Sequence, residues 1–356
     1  MKQVISLLLS LFLCSVTTKA QDHPVENQVF DEITQLEFTN DGRPVIFTQS
    51  GDHLVHVLNS TTFKPEIKLV PKGRGPGEIQ TQYAAFLESN NDRVFLIGPD
   101  KRMIGYNFSG ELIFEKFIEV LSPGLTNQKN PTMFIKDNYL FVSSGHPLMS
   151  SAKPDESIPF IQMIDTANTE VVYEFTMTLE QLAFEDFDVV EKVNFLKLQP
   201  ELIMINERLS VLTINGLPYF YFFVNGEFVK RKKIEADFEV EYVTSTKKRF
   251  GDNVGVRTPS NINSIQLIED DHLLISYGNI HQEIPVGYSV FRIDHSPKSS
   301  LNDEIKVTKI TDQKITGFED LSELNLTYHA GKLFIHNNYD WLAHQIYVIK
   351  QADLGF

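Results

Sequence analysis

Short apolar runs alternate with polar turns along most of the chain, and this pattern predicts β-strands. One unit recurs six times: an apolar strand, a tight polar turn, and a second apolar strand that begins with Val or Leu. The first residues of these second strands are Val45, Val94, Leu140, Leu209, Leu273 and Leu333. Their numbers differ by 49, 46, 69, 64 and 60 in turn. Repetition at such intervals is typical of a propeller.

Each unit continues with a third apolar strand and, after another turn, a fourth. Third strands are expected at 54–58, 103–106, 160–164, 219–224, 288–293 and 346–349, and fourth strands at 66–70, 112–118, 171–175, 228–234 and 305–310. The sixth unit stops after its third strand, whereas an additional strand-like run, 25–30, precedes the first unit. We therefore predict an all-β fold: a six-bladed β-propeller of four-stranded antiparallel blades, with the ring closed by the N-terminal strand. A β-solenoid is the alternative, although its repeats are usually about half as long.

The longer intervals between units indicate insertions. They lie at 146–159, 179–198, 240–261 and 296–304. Insertions in a propeller fall in loops at its two faces, where partners and substrates are met. The aromatic run 219–223 is instead predicted to fill the packing between neighbouring blades.

The segment 1–20 is typical of an export signal. Lys2 precedes an apolar run at 4–16, and the segment 18–20 places small side chains where a signal peptidase cleaves. The run is shorter than the roughly 20 residues that a transmembrane helix needs, and no later stretch is long enough. We predict a signal peptide at 1–20 and a single propeller domain at 21–356, exported to the periplasm or the extracellular space.

Cys14, the single cysteine, lies inside the apolar run. A lipoprotein would carry its lipid on this residue, but that chemistry requires a small residue just before the cysteine, and Leu13 stands there. The sequence thus argues against a lipid anchor. After ordinary cleavage the exported chain has no cysteine and no disulfide framework.

The charge balance restricts the class of partner. Lys and Arg total 32 against 47 Asp and Glu, a net charge of −15, which becomes −17 when Lys2 and Lys19 are removed with the signal. Nucleic acids and anionic membranes both attract positive charge, so we expect neither as a partner. A protein, peptide or carbohydrate ligand at the propeller face is expected instead.

A glycine-rich segment connects the first two units. Residues 72–78 read Lys-Gly-Arg-Gly-Pro-Gly-Glu, and the second unit continues with Asp-Lys-Arg-Met-Ile at 100–104 and Asn-Phe-Ser-Gly-Glu at 107–111. These motifs resemble the exported bacterial six-bladed β-propeller family related to TolB-like and NHL-repeat propellers, which often carries Gly-x-Gly-Pro-Gly-Glu. By motif the resemblance covers 72–111, and by repeat pattern most of the chain. It implies a fold and an exported location, and little chemistry.

Two interpretations of this segment stay open. Its backbone amides, with Lys72 and Arg74, could form an anion-binding nest. Alternatively it is a tight crossover in which the carboxylate of Glu78 accepts hydrogen bonds from backbone amides, and this interpretation is favoured. A phosphate loop would need Gly-Lys-Ser/Thr before a helix, whereas a strand is predicted here. Arg74 and Glu78 remain candidate ligand-binding residues.

Polar side chains are also expected around one mouth of the central channel. In a propeller, the loop after the second strand lies on the same face as the start of each inner strand. Candidate ligand-binding residues in these loops are Asp52, Asp100, His146, His281 and Trp341. Candidate metal ligands are His336, Asp340, Asn130, Asn263 and Asn325. Such side chains suit divalent cations, but Asp and Asn also favour turns for backbone reasons.

Three functions are compatible with these features. The leading hypothesis is a non-catalytic ligand- or protein-binding propeller that uses the channel mouth and the inserted loops, without a cofactor. It is preferred because the sequence has no nucleophile elbow, zinc-protease helix or EF-hand loop, so no catalytic residue is assigned. The alternatives are a metal-dependent hydrolase or lyase with Ca²⁺ or Mg²⁺ in the channel mouth, and a structural scaffold of an envelope complex. Fold alone does not choose among them.

Overall fold

The computed structural model describes a large part of the repeat region. The described residues are 18–19, 33–49, 51–80, 86–89, 92–98, 100–118, 133–143, 155–178, 180–182, 200–214, 217–235, 243–245, 255–257, 262–279, 284–295, 305–316, 324–337 and 346–350. Within these ranges the regular elements are all β-strands, β1 to β26 in chain order. None of these ranges holds a helix with the length and apolar character that crossing a membrane requires.

Among the described residues, six sheets follow one another in chain order, one for each predicted blade with its strands antiparallel, and a two-stranded hairpin forms a seventh. A short segment, β1 (Thr18–Lys19), comes before them. Blades one to three consist of β2 (Gln35–Phe38), β3 (Pro44–Phe47), β4 (His53–Leu58) and β5 (Pro65–Pro71); β6 (Phe86–Ser89), β7 (Arg93–Ile97), β8 (Arg102–Asn107) and β9 (Leu112–Phe117); and β10 (Met133–Lys136), β11 (Tyr139–Ser143), β12 (Ile158–Asp165) and β13 (Val171–Met177).

The second half of the chain repeats the arrangement. Blades four to six consist of β14 (Pro200–Met204), β15 (Leu209–Ile214), β16 (Leu217–Val224) and β17 (Glu227–Lys233); β20 (Ile262–Ile268), β21 (His272–Asn279), β22 (Ile284–His295) and β23 (Ile305–Thr316); and β24 (Leu324–His329), β25 (Lys332–Asn337) and β26 (Ile346–Lys350). A separate hairpin, β18 (Val243–Ser245) with β19 (Gly255–Arg257), lies in the insertion predicted at 240–261. The all-β, six-bladed prediction is confirmed.

Blade five departs most from the predicted strand lengths. Both β22 and β23 have 12 residues, twice the length expected from their apolar runs. The additional residues of β23 are mostly polar and resemble a loop in sequence. They are held as a strand because they pair with β22, as in the alignment of Gly287 with Lys314. Tertiary pairing here overrides local propensity.

Apolar packing joins each blade to the next around the ring. Among the described residues, six clusters of buried side chains each span one interface between consecutive blades. The aromatic run of β16 contributes to two of them, as predicted. Phe223 meets Phe175 of blade three with ring centroids 5.5 Å apart, whereas Phe220 meets Phe291 of blade five at 5.2 Å. Alternate side chains of one strand thus fill opposite faces of the blade.

Blade six packs directly on blade one, and this contact closes the ring of blades. Phe334 lies 4.5 Å from Phe38 and 5.9 Å from Phe63 between ring centroids. The ring of Phe38 also stacks on His329 at 4.5 Å. The segment 25–30, predicted to complete blade six, lies outside the described residues. Among the described residues before blade one, β1 pairs in parallel with the end of β23 in blade five.

Candidate functional site

The beginnings of the inner strands surround a cavity in the central channel. Its volume is about 280 Å³. The lining comes from blades one, three, four, five and six: Gln35, Leu36, Glu37, Phe134, Glu201, Leu202, Ile203, Ser264, Ile265, Gln266, Asn325, Leu326, Thr327 and His336. Because the inner strands begin at this end, the cavity lies at the predicted channel mouth. Its wall mixes carboxyl, amide and hydroxyl groups with aliphatic side chains.

Polar side chains in this wall join neighbouring inner strands. The backbone N–H of Ile265 donates to Glu201 Oε2 at 2.8 Å, which links blades four and five. The amide of Gln266 makes two bonds to blade six: Nε2 donates to the carbonyl of Tyr328 at 2.8 Å, and Oε1 accepts from its N–H at 2.6 Å. These bonds satisfy backbone groups on strand edges that no other described strand covers.

A side-chain hydrogen bond also connects blade six to blade one. Thr327 Oγ1 donates to the carbonyl of Leu36 at 3.1 Å. Beside it, Gln35 Nε2 donates to Glu37 Oε1 at 2.6 Å on the inner strand of blade one. The channel mouth is thus bordered by side-chain bonds that run from blade four through blades five and six to blade one.

In this wall, the pKa of the Glu201 carboxyl group is shifted by its surroundings. Surrounding protein atoms desolvate the carboxylate and raise its pKa well above the ordinary value, although the hydrogen bond from Ile265 N–H opposes this effect. The side chain is partly exposed, because its residue faces the channel cavity. Desolvation dominates since one backbone donor replaces only part of the hydration that a carboxylate loses.

Two predicted metal ligands, Asn325 and His336, do meet in the channel mouth. They face each other as a register pair between β24 and β25. Both are buried, at 4% and 2% exposure, and both line the cavity. His336 was expected in a loop but belongs to strand β25, because the pairing with β24 extends to it. Asn263, expected at the start of an inner strand, is the second residue of strand β20.

The glycine-rich segment is a tight crossover between blades one and two, as the favoured interpretation predicts. Glu78 Oε2 accepts a hydrogen bond from Gly75 N–H at 2.7 Å. Its carboxylate lies so close to Gly73 that a Cβ there would overlap it. Gly77 has a φ of +72°, and its N–H donates to Glu115 Oε2 at 3.1 Å. Arg74 is exposed and donates from Nε to Gln80 Oε1 at 2.7 Å.

Arg102 fastens this crossover to blade two. Its Nη1 donates to the carbonyl of Gly75 at 3.0 Å and to Glu115 Oε1 at 2.8 Å, and its Nη2 donates to the carbonyl of Glu78. Asp100 is exposed and forms an ion pair with Arg102 Nε at 3.3 Å. This arrangement serves to hold the crossover, and it explains why the segment carries both glycines and charged residues.

The predicted loop residues differ in their relation to the cavity. Asp52 and Asp100 are exposed in turns, and neither belongs to the cavity lining. The structure therefore does not bring them together with Asn325 and His336. The candidates outside the described residues are Asn130, His146, His281, Asp340 and Trp341. Within the described ranges, no group of three or more His, Cys, Asp and Glu side chains is placed to share a metal ion.

Most polar groups of the mouth are not among the residues predicted from the sequence, because those candidates lie mainly in turns. Glu201, Gln266 and Thr327 lie inside inner strands whose other residues are largely apolar. A polar side chain at a position where an inner strand is otherwise apolar is the signal that could have identified them. The signal is weak, because alternation of polar and apolar residues also describes an exposed strand face.

The comparisons with known proteins identify structural neighbours. No family model matches the chain, and no curated protein matches its sequence. The Pan2 WD40 domain of Neurospora crassa is 12% identical with a TM-score of 0.46, covering 92% of this chain and 90% of that one. YCF48 from Cyanidioschyzon merolae is 10% identical with a TM-score of 0.44, covering 93% and 98%. BamB from Moraxella catarrhalis is 11% identical with a TM-score of 0.40, covering 89% and 85%. Likeness at this level carries no information on ligand or activity, and the TolB-like and NHL-like resemblance stays a prediction.

Proposed function

We propose that the chain is an exported binding propeller that holds its ligand, without catalysis, in the channel mouth. The observation that carries this proposal is the cavity of about 280 Å³ at the beginning of the inner strands, with two carboxyl groups in its wall. Ligand sites are concave, largely preformed, and lined by apolar side chains with a few convergent polar groups. The interblade bonds of Glu201, Gln266 and Thr327 hold that lining in place before a ligand arrives.

Blocking the cavity tests this proposal. Gln35 begins β2 at the mouth, so the variant Gln35→Cys, with Cys14→Ser, allows a bulky maleimide to be attached there. Ser60, in the exposed turn after β4, provides a matched labelling site as Ser60→Cys. Thermal-shift screening of sugars, peptides and amines is then run on both labelled proteins. A ligand that stabilises the Ser60→Cys conjugate and not the Gln35→Cys conjugate supports the proposal. Equal stabilisation of both places the binding site elsewhere.

The exported location and the single domain at 21–356 rest on the sequence of the segment 1–20. Expression of the full chain in a bacterial host with the envelope fractionated tests them. We expect a soluble periplasmic or secreted protein, with an intact mass that matches a chain starting at Gln21. A product acylated at Cys14 would contradict ordinary cleavage, and a full-length cytoplasmic product would contradict export. Metal analysis of the same sample tests the Ca²⁺ or Mg²⁺ alternative: a stoichiometric cation lost in His336→Ala would favour it.

A further inference from the structure

We infer that the channel-mouth cavity takes the cationic nitrogen of its ligand, a primary ammonium group on a flexible chain, against Glu201. This inference rests on the proposed function, because it assigns a chemical class to the ligand of the same cavity. Free aliphatic amines and the lysine side chain of a peptide both carry a primary ammonium group of this kind.

Three side-chain donors of the wall are already engaged by acceptors of the protein, which supports a ligand that donates. Gln35 Nε2 donates to Glu37, and Gln266 Nε2 donates to the carbonyl of Tyr328. The hydroxyl of Thr327 donates to the carbonyl of Leu36. These wall donors thus already serve acceptors of the protein itself. A carboxylate offers about four acceptor sites, and among the described residues the hydrogen bond to Glu201 comes from Ile265 N–H alone.

The apolar part of the lining suits the chain that carries the ammonium group. Leu36, Leu202, Leu326 and Phe134 line the same cavity. Its 280 Å³ corresponds to about nine water molecules at roughly 30 Å³ each, enough for a short aliphatic segment. Amphipathic side chains such as lysine pack their methylenes on apolar surface and direct the charge to a polar group. The net charge of −15 attracts cations to the protein as a whole.

Proton release on binding is the readout specific to Glu201. Burial raises the pKa of this carboxyl group in the empty cavity, and an adjacent cation lowers a carboxyl pKa by stabilising the charged form. The other titratable groups in the described lining are Glu37 on β2 and His336 on β25, since β10, β20 and β24 contribute no titratable side chain to it. At a pH where the empty cavity keeps this carboxyl group protonated, amine binding therefore releases a proton from Glu201.

Calorimetric titration of the full chain with three five-carbon probes tests the inference. Cadaverine is the cationic probe, pentane-1,5-diol its neutral isostere and glutarate its anionic counterpart. Nα-acetyl-lysine amide, compared with the Nε-acetylated form, represents a lysine side chain and distinguishes the two sources. Titrations at one pH in phosphate and in MOPS, a buffer without a primary amine, report the protons released. Glu201→Gln removes the charge but keeps an oxygen for Ile265 N–H, and Glu207→Gln, in an exposed turn, is the matched control.

We expect cadaverine or the lysine amide to bind, with at least a tenfold loss in Glu201→Gln, the scale of one charge-assisted hydrogen bond. Glu207→Gln keeps the affinity, and proton release disappears only in Glu201→Gln. Equal affinities in the two variants, or no amine binding, overturn the inference. If the diol or glutarate binds instead, and the Gln35→Cys conjugate blocks it, the inference fails while the proposed function stands. If that conjugate binds amines as the wild-type protein does, both fail.

Discussion

The bonds of Gln266 to blade six provide the sharpest test of how the channel wall is held together. We consider Gln266→Met, which keeps the length of the side chain and removes its amide. Two hydrogen bonds, of 2.8 Å and 2.6 Å, are lost, and both polar backbone groups of Tyr328 lose this partner. One such bond contributes about 0.5–1.5 kcal/mol net. Since both residues are partly exposed, channel water replaces part of the loss, and we expect about 2 kcal/mol of destabilisation.

Equilibrium unfolding in urea measures the loss, and hydrogen exchange locates it. We expect a lower midpoint with an unchanged slope, and faster exchange of the Tyr328 amide hydrogen. Gln80→Met is the matched control, because the amide oxygen of Gln80 accepts an exposed hydrogen bond, from Arg74 Nε; we expect about 0.5 kcal/mol or less there. A loss in Gln266→Met no larger than in the control, with unchanged exchange at Tyr328, would refute the interblade role of the glutamine.

Three further predictions follow from other parts of the fold. Gly77→Ala places a side chain at φ +72° against the hydroxyl of Tyr106, and we expect at least about 1 kcal/mol of destabilisation by urea unfolding. Phe220→Ala, in the cluster between blades four and five, is expected to cost about 3–5 kcal/mol in the same assay. Because the folded protein raises the pKa of Glu201, its contribution to stability falls as pH rises above the unfolded-state pKa. Glu201→Gln is therefore expected to gain stability relative to the wild type from pH 4 towards pH 8; an unchanged difference would contradict this.

Much of the fold follows from local patterns that the chain repeats. The apolar strands and their polar turns predict the strand order of every blade, since alternation and turn chemistry act over a few residues. The aromatic run of β16 is predicted correctly as interblade packing for the same reason. The polar second half of β23 could not be predicted, because only its pairing with β22, established by the tertiary fold, makes it a strand.

The glycine-rich crossover shows how far a motif can be interpreted. Its spacing predicts a tight turn and favours Glu78 as the acceptor for its amides; the turn is present, and Glu78 accepts from Gly75 N–H, whereas Gly77 N–H donates to Glu115. The role of Arg102, 24 residues beyond Glu78, depends on how blade two lies against the crossover. No local pattern encodes that distance in space.

The channel mouth also combines features that local sequence predicts with features that only the folded chain shows. Six repeating units and their strands follow from the sequence, and so does the prediction of polar residues near one face, because strand period and turn chemistry are local properties. Which polar residues share a cavity depends on how the blades pack. Asn325 and His336 enter it and Asp52 and Asp100 do not, while Glu37 and Glu201, distant in sequence, line the same cavity. The stacking of six sheets in a ring fixes which strand positions face the channel, and that stacking depends on packing between residues far apart in the chain.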